Sequence, residues 1–245
     1  MLMEAIHKMK VEVWSDIMCP FCYIGKRNYE AGLKQFADNK NIEIVWKSFQ
    51  LDPNIPQEVA VTENVYQYLS ERKGMSYEQS VEMHGSVVET AKKVGLEYNF
   101  DKTVVANSFN AHRMIQLAKI KGLGDAAEER LFHAYFTEGK NIGNTEVLID
   151  LGKDIGLTEA EVTTALTDDA YAYKVRQDVE EAQQLGVRGV PFFVFDRKYA
   201  ISGAQPSEAF LETLEKSFTE WRKENLASPF EVSNGPSCSI DGTCD

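Results

Sequence analysis

The chain has 245 residues, 43% hydrophobic and 26% charged, with a formal net charge of −12. This is an ordinary globular composition, with length for one or two cores. The acidic balance argues against a nucleic-acid binder, whose phosphates need a basic footprint, and no apolar run reaches membrane-spanning length.

From the N-terminus, Met1 to His7 lacks the apolar core of a secretory leader and carries Glu4, so the fold is expected to begin near Met9-Lys10. A cytoplasmic location follows as an expectation. Thiols stay reduced there, so Cys19, Cys22, Cys238 and Cys244 point to catalysis or metal binding rather than to a stapled framework.

Val11 to Trp14 reads as a buried strand, and Pro20 to about Phe36 as a helix. Between them stands Cys19-Pro20-Phe21-Cys22, a dithiol redox spacing at a strand-to-helix junction. With Cys19 at the N-cap, Pro20 occupies the first helical position, where its missing N–H loses nothing. The Cys19 sulfur then meets the free N–H groups of the first turn, which favour an anion, and Cys22 follows one turn on. Half of a zinc site is the rival reading, but no second close-set ligand pair follows at finger distance, so no metal is expected. Cys22, Lys26, Tyr29, Leu33 and Phe36 share a helical face, turning Cys22 inward and leaving Cys19 at an exposed tip.

Ile42 to Lys47 reads as a second strand, completing a right-handed βαβ unit with a parallel pair. Phe49 to Pro56 is a linker by its two prolines. A run of helices follows. Thr62 is expected to cap the first, which runs through Leu69 and stops near Gly74, and Ser76 with Gln79 forms a capping box for the second. The others are expected over Val104–Ile120 and Ala126–Phe136, from a cap at Asn144, from a box at Thr158 and Glu161, and from Asp168 or Asp169 to Leu185. Phe192–Phe195 and Tyr199–Ser202 then read as an antiparallel hairpin, and Pro206 opens a last helix with Phe210, Leu214, Phe218 and Trp221 on its core face. The fold class is therefore α/β. The division expected is 10–58 with 187–227 as one discontinuous domain, 59–186 as an all-helical insertion, and 228–245 as a cysteine-containing tail.

Other candidates carry less. His84, His112 and His133 lie in expected helices without a ligand at i, i+4 and read as core or surface histidines. Lys26 reads as solvating its helix rather than holding a thiolate. Asp52 and Asp101 suggest no hydrolytic carboxylate pair, and no glycine-rich phosphate loop is present.

Three stretches together carry a family resemblance: Ser15-Asp16-Ile17-Met18-Cys19-Pro20-Phe21-Cys22-Tyr23-Ile24-Gly25, Gly186-Val187-Arg188-Gly189-Val190-Pro191-Phe192-Phe193, and Ser202-Gly203-Ala204-Gln205. Asn107 to Arg113 agrees with them. The chain resembles the DsbA-like thioredoxin-fold proteins over roughly residues 10 to 225, in particular the cytoplasmic FrnE branch. That branch is related to 2-hydroxychromene-2-carboxylate isomerase and kappa-class glutathione transferase. The resemblance implies a thioredoxin fold with a helical domain inserted between the second and third strands. It implies that Cys19 and Cys22 are the catalytic pair, that Pro191 is a cis-proline facing them, and that Val190 offers main-chain hydrogen bonds to a bound polypeptide.

The implied function is disulfide exchange with protein or peptide substrates, with no cofactor unless glutathione serves as redox partner, and with no nucleic-acid or membrane partner. A glutathione-dependent isomerase or transferase acting on small aromatic substrates is the alternative. Those relatives commonly have serine where this chain has Cys19, which favours disulfide chemistry here. Phe21 supplies no cationic imidazole between the cysteines, so the resemblance implies a pair less oxidising than that of periplasmic members carrying Pro-His. Cys238 and Cys244 read either as a local disulfide or idle thiols, or as a second redox pair, which the resemblance also allows.

Overall fold

The computed structural model describes residues 8–57 and 64–225. Strand β1 (Met9–Ser15) is the most buried, with only Lys10 exposed. Helix α1 (Pro20–Gln35) follows, then a single 3-10 turn at Asn39–Asn41 and strand β2 (Ile42–Ser48). β1 and β2 are parallel, with Val11 opposite Ile44 and Val13 opposite Trp46, forming the βαβ unit that the sequence predicts. Strands β3 (Phe192–Phe195) and β4 (Tyr199–Ser202) form the expected hairpin, and β3 lies antiparallel to β1 with Phe193 opposite Val13. The sheet order is β2-β1-β3-β4.

The hairpin turns through Asp196 and Arg197, both at positive φ (48° and 55°), and the Lys198 N–H closes it on the Phe195 carbonyl at 3.0 Å. This mirror-image turn suits the right-handed twist of the two strands. Arg197, an unusual residue in that conformation, is held there by ion pairs to Glu12 and Glu181.

The last helix, α9 (Ser207–Asn225), lies against α1, and its predicted stripe of Phe210, Leu214, Phe218 and Trp221 is buried. Each such side chain contributes about 1.5–3 kcal/mol by leaving water. Gly32 sets the approach of the two helices, because a Cβ there would lie 2.7 Å from the Ser207 carbonyl oxygen.

Seven helices, one for each expected start, separate β2 from β3 among the described residues. They are α2 (Val65–Lys73), α3 (Tyr77–Lys92), α4 (Phe109–Ile120), α5 (Gly124–His133), α6 (Thr145–Asp154), α7 (Glu159–Thr167) and α8 (Asp169–Gln184). Both predicted capping boxes form, and Asn144 and Asp168 cap α6 and α8. α2 is capped by Asn64; Thr62, the expected cap, lies outside the described residues. The helix expected from Val104 begins only at Phe109. Val104 bridges to Asn64 as extended chain, and Asn107 holds the next turn open by accepting from the Phe109 N–H (2.8 Å) and donating to the Ile55 carbonyl (2.6 Å). The helix expected to reach Phe136 widens after His133 into a π turn over Ala134–Glu138, ended by Gly139 at φ 71°.

A polar layer joins the sheet to these helices. One carboxylate oxygen of Asp178 accepts from the Ser48 N–H (3.0 Å) and the Gln116 amide (2.6 Å), and the other pairs with Lys47 (3.0 Å). Glu128 of α5 is buried at 1% exposure, and its Oε2 has no partner among the described residues. Burial, reinforced by Asp125 and opposed by Lys26 and Lys119, pushes its carboxyl up to about 8 from an ordinary value of 4.5. The folded chain therefore holds a proton between those values that the unfolded chain releases, and stability falls as pH rises through that window. We expect urea midpoints to decline from pH 4.5 to 8 in the native protein and Glu128→Gln to flatten the decline; an unchanged slope in the variant would assign the titration to another group.

Candidate active site

β1 ends in Ser15 and leads directly into Asp16, which is fully buried and ties the next loop together. Its Oδ1 accepts from the Met18 N–H (3.2 Å), its Oδ2 from the Leu51 N–H (2.7 Å), and its carbonyl from the Cys19 N–H (2.9 Å). Cys19 thereby takes the N-cap of α1 with extended backbone (φ −89°, ψ 110°), and Pro20 opens the helix, as predicted. No acidic residue occupies the first turn, so nothing there opposes an anion at the helix start.

Both thiols are free. Cys19 is not the exposed tip that the helical wheel suggests: it is 5% exposed, against 1% for Cys22. The wheel sees only α1, whereas the segment that leads into β3 also covers this end of the helix. The Cys19 sulfur donates to the Val190 carbonyl at 3.4 Å, and the Val190–Pro191 peptide bond is cis. Pro191 packs on Gly25 of α1, where a Cβ would come within 2.9 Å of Pro191 Cγ. Cys19, Cys22, Val190 and Pro191, separated by about 170 residues of chain, thus meet at one point. Burial pushes the Cys22 thiol well up, its neighbour Cys19 acts in the same direction, and the Asp16 main chain and Ser15 hydroxyl pull it down.

Lys26 departs from expectation. Its side chain is 2% exposed and pairs with Glu30, with Glu129 at 3.0 Å and with Asp125 at 3.4 Å. Burial alone would push its ammonium down, yet these three carboxylates hold it above its ordinary value. Arg27 and the Tyr23 hydroxyl (2.6 Å) also bind Glu129, and Tyr23 stacks on Phe132 with centroids 4.9 Å apart. The Tyr98 hydroxyl donates to the Pro20 carbonyl at 2.7 Å. The helical segment therefore grips the first two turns of α1.

A cavity of 390 Å³ opens beside Cys19, walled by apolar side chains that include Met18, Val65, Leu69, Met83 and Phe136. This is within the range of small-ligand sites. Phe21, 44% exposed, stands between it and a hollow of 510 Å³ flanked by Arg27 and Lys93. His84 lines the cavity with its Nδ1 2.7 Å from the Ser80 carbonyl, His112 is fully buried with Nε2 3.6 Å from Asp16 Oδ1, and His133 is exposed beside Glu138. Among the described residues no three His, Cys, Asp or Glu side chains group as metal ligands. Asp52 is taken by Arg72 and Tyr68, and Asp101 accepts from Tyr66, so neither joins a carboxylate pair. Cys238 and Cys244 lie outside the described residues.

Sequence reasoning missed Tyr98 and Glu129, whose partners are more than seventy residues away. It carried Ser15 and Asp16 only as part of a family string, although an aspartate just before a turn is a local signal for main-chain capture.

Residues 10–215 match the model of the DSBA-like thioredoxin domain. The chain belongs to this family. The probable DsbA oxidoreductase SCO1869 from Streptomyces coelicolor is similar, with 36% identity and a TM-score of 0.81 over 97% of this chain and 98% of that one. The uncharacterized protein YwbO of Bacillus subtilis (strain 168) is 29% identical over 218 residues, spanning 87% of this chain and 98% of YwbO. The cytosolic disulfide reductase DsbM from Pseudomonas aeruginosa shares the fold, with 17% identity and a TM-score of 0.62 over 86% of this chain and 99% of DsbM. Membership of the DSBA-like family makes the chain a thiol–disulfide oxidoreductase or a related isomerase. Among the described residues no helix is long and apolar enough to cross a membrane.

The Gly25–Pro191 contact of this DSBA-like domain is directly testable. We expect Gly25→Ala to cost about 1–3 kcal/mol, because a methyl group must displace the Pro191 ring. Gly85→Ala, where no atom lies within 4 Å of the new Cβ, should be neutral or stabilising. Equal urea midpoints for the two variants would contradict the contact.

Proposed function

We propose that the chain is a thiol–disulfide oxidoreductase that exchanges disulfides with protein substrates through Cys19 and Cys22. The observation that carries this reading is the meeting of two free sulfurs at the start of α1 with the Val190 carbonyl and an apolar cavity. Cys19, as thiolate, attacks a substrate disulfide; one substrate sulfur leaves and takes a proton. Cys22 then attacks the Cys19 sulfur of the mixed disulfide, the second substrate sulfur leaves, and the enzyme pair is oxidised as the substrate gains two electrons. Run backwards, the same steps oxidise a dithiol.

Val190 and Pro191 present an extended substrate segment to Cys19, by main-chain hydrogen bonding of the strand-addition kind. Glutathione, the redox partner of a cytoplasmic enzyme, re-reduces the pair. No nucleic acid, membrane or bound cofactor takes part.

Insulin reduction by dithiothreitol, followed as turbidity, tests this. We expect Cys19→Ser to abolish the acceleration and Cys22→Ser to accumulate an enzyme–substrate mixed disulfide visible by mass; full activity in Cys19→Ser would refute the assignment. The second reading, a glutathione-dependent isomerase or transferase on small aromatic substrates, draws on the apolar cavity. It requires glutathione-dependent turnover that survives loss of Cys22.

The tail pair, Cys238 and Cys244, is assigned here to electron relay with the first pair. Truncation after Asn225 should then slow turnover with glutathione and leave stoichiometric disulfide exchange by Cys19 intact. Unchanged turnover and redox potential would remove the relay.

A further inference from the structure

We propose that His112 is the counter-cation of Asp16: as an imidazolium it keeps that carboxylate ionised beneath the active-site loop, and so acts as a positioning residue for Cys19. The inference rests on the dithiol reading above in taking Cys19 as the attacking sulfur, and it assigns a role to a histidine that this reading leaves idle.

Asp16 and His112 are both fully buried, and His112 Nε2 lies 3.6 Å from Asp16 Oδ1, an ion-pair separation. Among the described residues no other cation pairs with Asp16. Both carboxylate oxygens are engaged as acceptors, Oδ1 from the Met18 N–H at 3.2 Å and Oδ2 from the Leu51 N–H at 2.7 Å. That pattern suits the ionised form, because a protonated carboxyl turns one of its oxygens into a donor facing an N–H. A carboxylate sealed from water keeps its charge beside a cation and takes up a proton without one. Neither ring nitrogen of His112 has a hydrogen-bond partner among the described residues. A neutral ring would leave both nitrogens unanswered, whereas an imidazolium gains the attraction of a carboxylate where water is excluded.

The other titratable and charged groups around α4 do not compete for this place. Glu128 of α5 feels the Asp16 charge and keeps its proton up to about 8. Tyr135 of the π turn also feels that charge, and burial pushes its hydroxyl up. Asp178 of α8 is bound to Lys47 of β2 and to Lys119, two turns along α4. Arg113 turns to the Ala165 and Asp168 carbonyls at the end of α7, and α6 brings Gly152 against Met114.

The charge on Asp16 reaches Cys19 through the main chain. The Asp16 carbonyl accepts from the Cys19 N–H at 2.9 Å, and with the Met18 bond it shapes the turn that delivers Cys19 to the N-cap of α1. There the sulfur meets the free N–H groups of the first turn, which favour its anion. If Asp16 took up a proton, one of its two N–H bonds would fail and the turn would open. His112 transfers no proton and touches no substrate. A hydrogen bond to a charged group shifts a population by about tenfold or more, so losing one should slow Cys19 by about that factor.

The test is alkylation of the reduced full chain by iodoacetamide across a range of pH, with the Cys19 peptide followed by mass. Relative to the native protein, His112→Asn is expected to slow Cys19 about tenfold at neutral pH. The deficit should shrink at alkaline pH, where Asp16 loses the added proton. Asp16→Asn, uncharged throughout, should show a deficit without that recovery, and adding His112→Asn to it should cost nothing more. A native rate in His112→Asn overturns the proposal, as do additive losses in the double variant. A deficit that does not change with pH marks a packing role and overturns it too. Should His112→Asn not fold, the ring charge is read in the native protein from the nitrogen NMR shifts of isotope-labelled histidine, assigned by substituting His7, His84 and His133 in turn. An imidazolium at neutral pH is expected for His112, and a neutral ring overturns the proposal. Failure of the dithiol reading is distinguishable, because Cys19 of the native protein would then react no faster than in the denatured chain, before any substitution.

Discussion

The first turn of α1 is held from three sides, and the chemistry depends on that grip. Below, Asp16 captures the loop that ends at Cys19. On one flank, Val190 and Pro191 close against the Cys19 sulfur and Gly25. On the other, Tyr98 binds the Pro20 carbonyl. A sulfur anion at a helix start is stabilised by main-chain N–H groups, and that stabilisation grows as water is removed. Removal of water also penalises any second anion nearby. The two cysteines consequently differ although they are chemically identical. Cys22, deeper and beside Cys19, has its thiol form favoured by burial and by its neighbour.

The helical segment is more than a lid over the cavity. Its α5 supplies Asp125 and Glu129 to Lys26 and Arg27, and its Phe132 stacks on Tyr23, so two turns of α1 are fastened by ions and rings together. Lys26 is nearly sealed from water, whereas its carboxylate partners retain 36–52% side-chain exposure. That asymmetry limits the desolvation cost to one ion and leaves the carboxylates partly hydrated, a cheaper arrangement than a wholly buried pair. It also fixes the rotation of α1 about its axis, and with it the direction in which Cys22 points.

What the sequence made legible is what short-range chemistry controls. The β1–α1–β2 unit, the β3–β4 hairpin and both capping boxes are patterns of fewer than about forty residues, and each was found where expected. The convergence of Cys19 with Pro191 was legible only through family likeness, because nothing near either residue refers to the other. Lys26 misled because a lysine on an apolar face looks like a snorkelling side chain when its partners, a hundred residues on, are unknown. Val104–Ser108 misled for the same reason. Its residues suit a helix, but Asn107 spends its side chain on Ile55 and on capping Phe109, a choice visible only once the two segments are adjacent.

The far wall of the site follows from a different anchor. Asp178, in the middle of α8, binds the Ser48 N–H, Gln116 and Lys47 through its carboxylate, and its carbonyl accepts from the Trp14 indole at 2.9 Å. One residue thus ties α8 to the two parallel strands and to α4. From that fixed point the chain runs two turns to Gly186, where a φ of 73° reverses its course and the Val187 N–H closes on the Ala182 carbonyl at 2.9 Å. Three residues later it reaches Val190, too short a path for the carbonyl that meets Cys19 to wander. The polar layer under the sheet and the sulfur beyond the end of β1 are therefore joined through α8. Loosening Asp178 would displace Val190 from Cys19 without touching either cysteine.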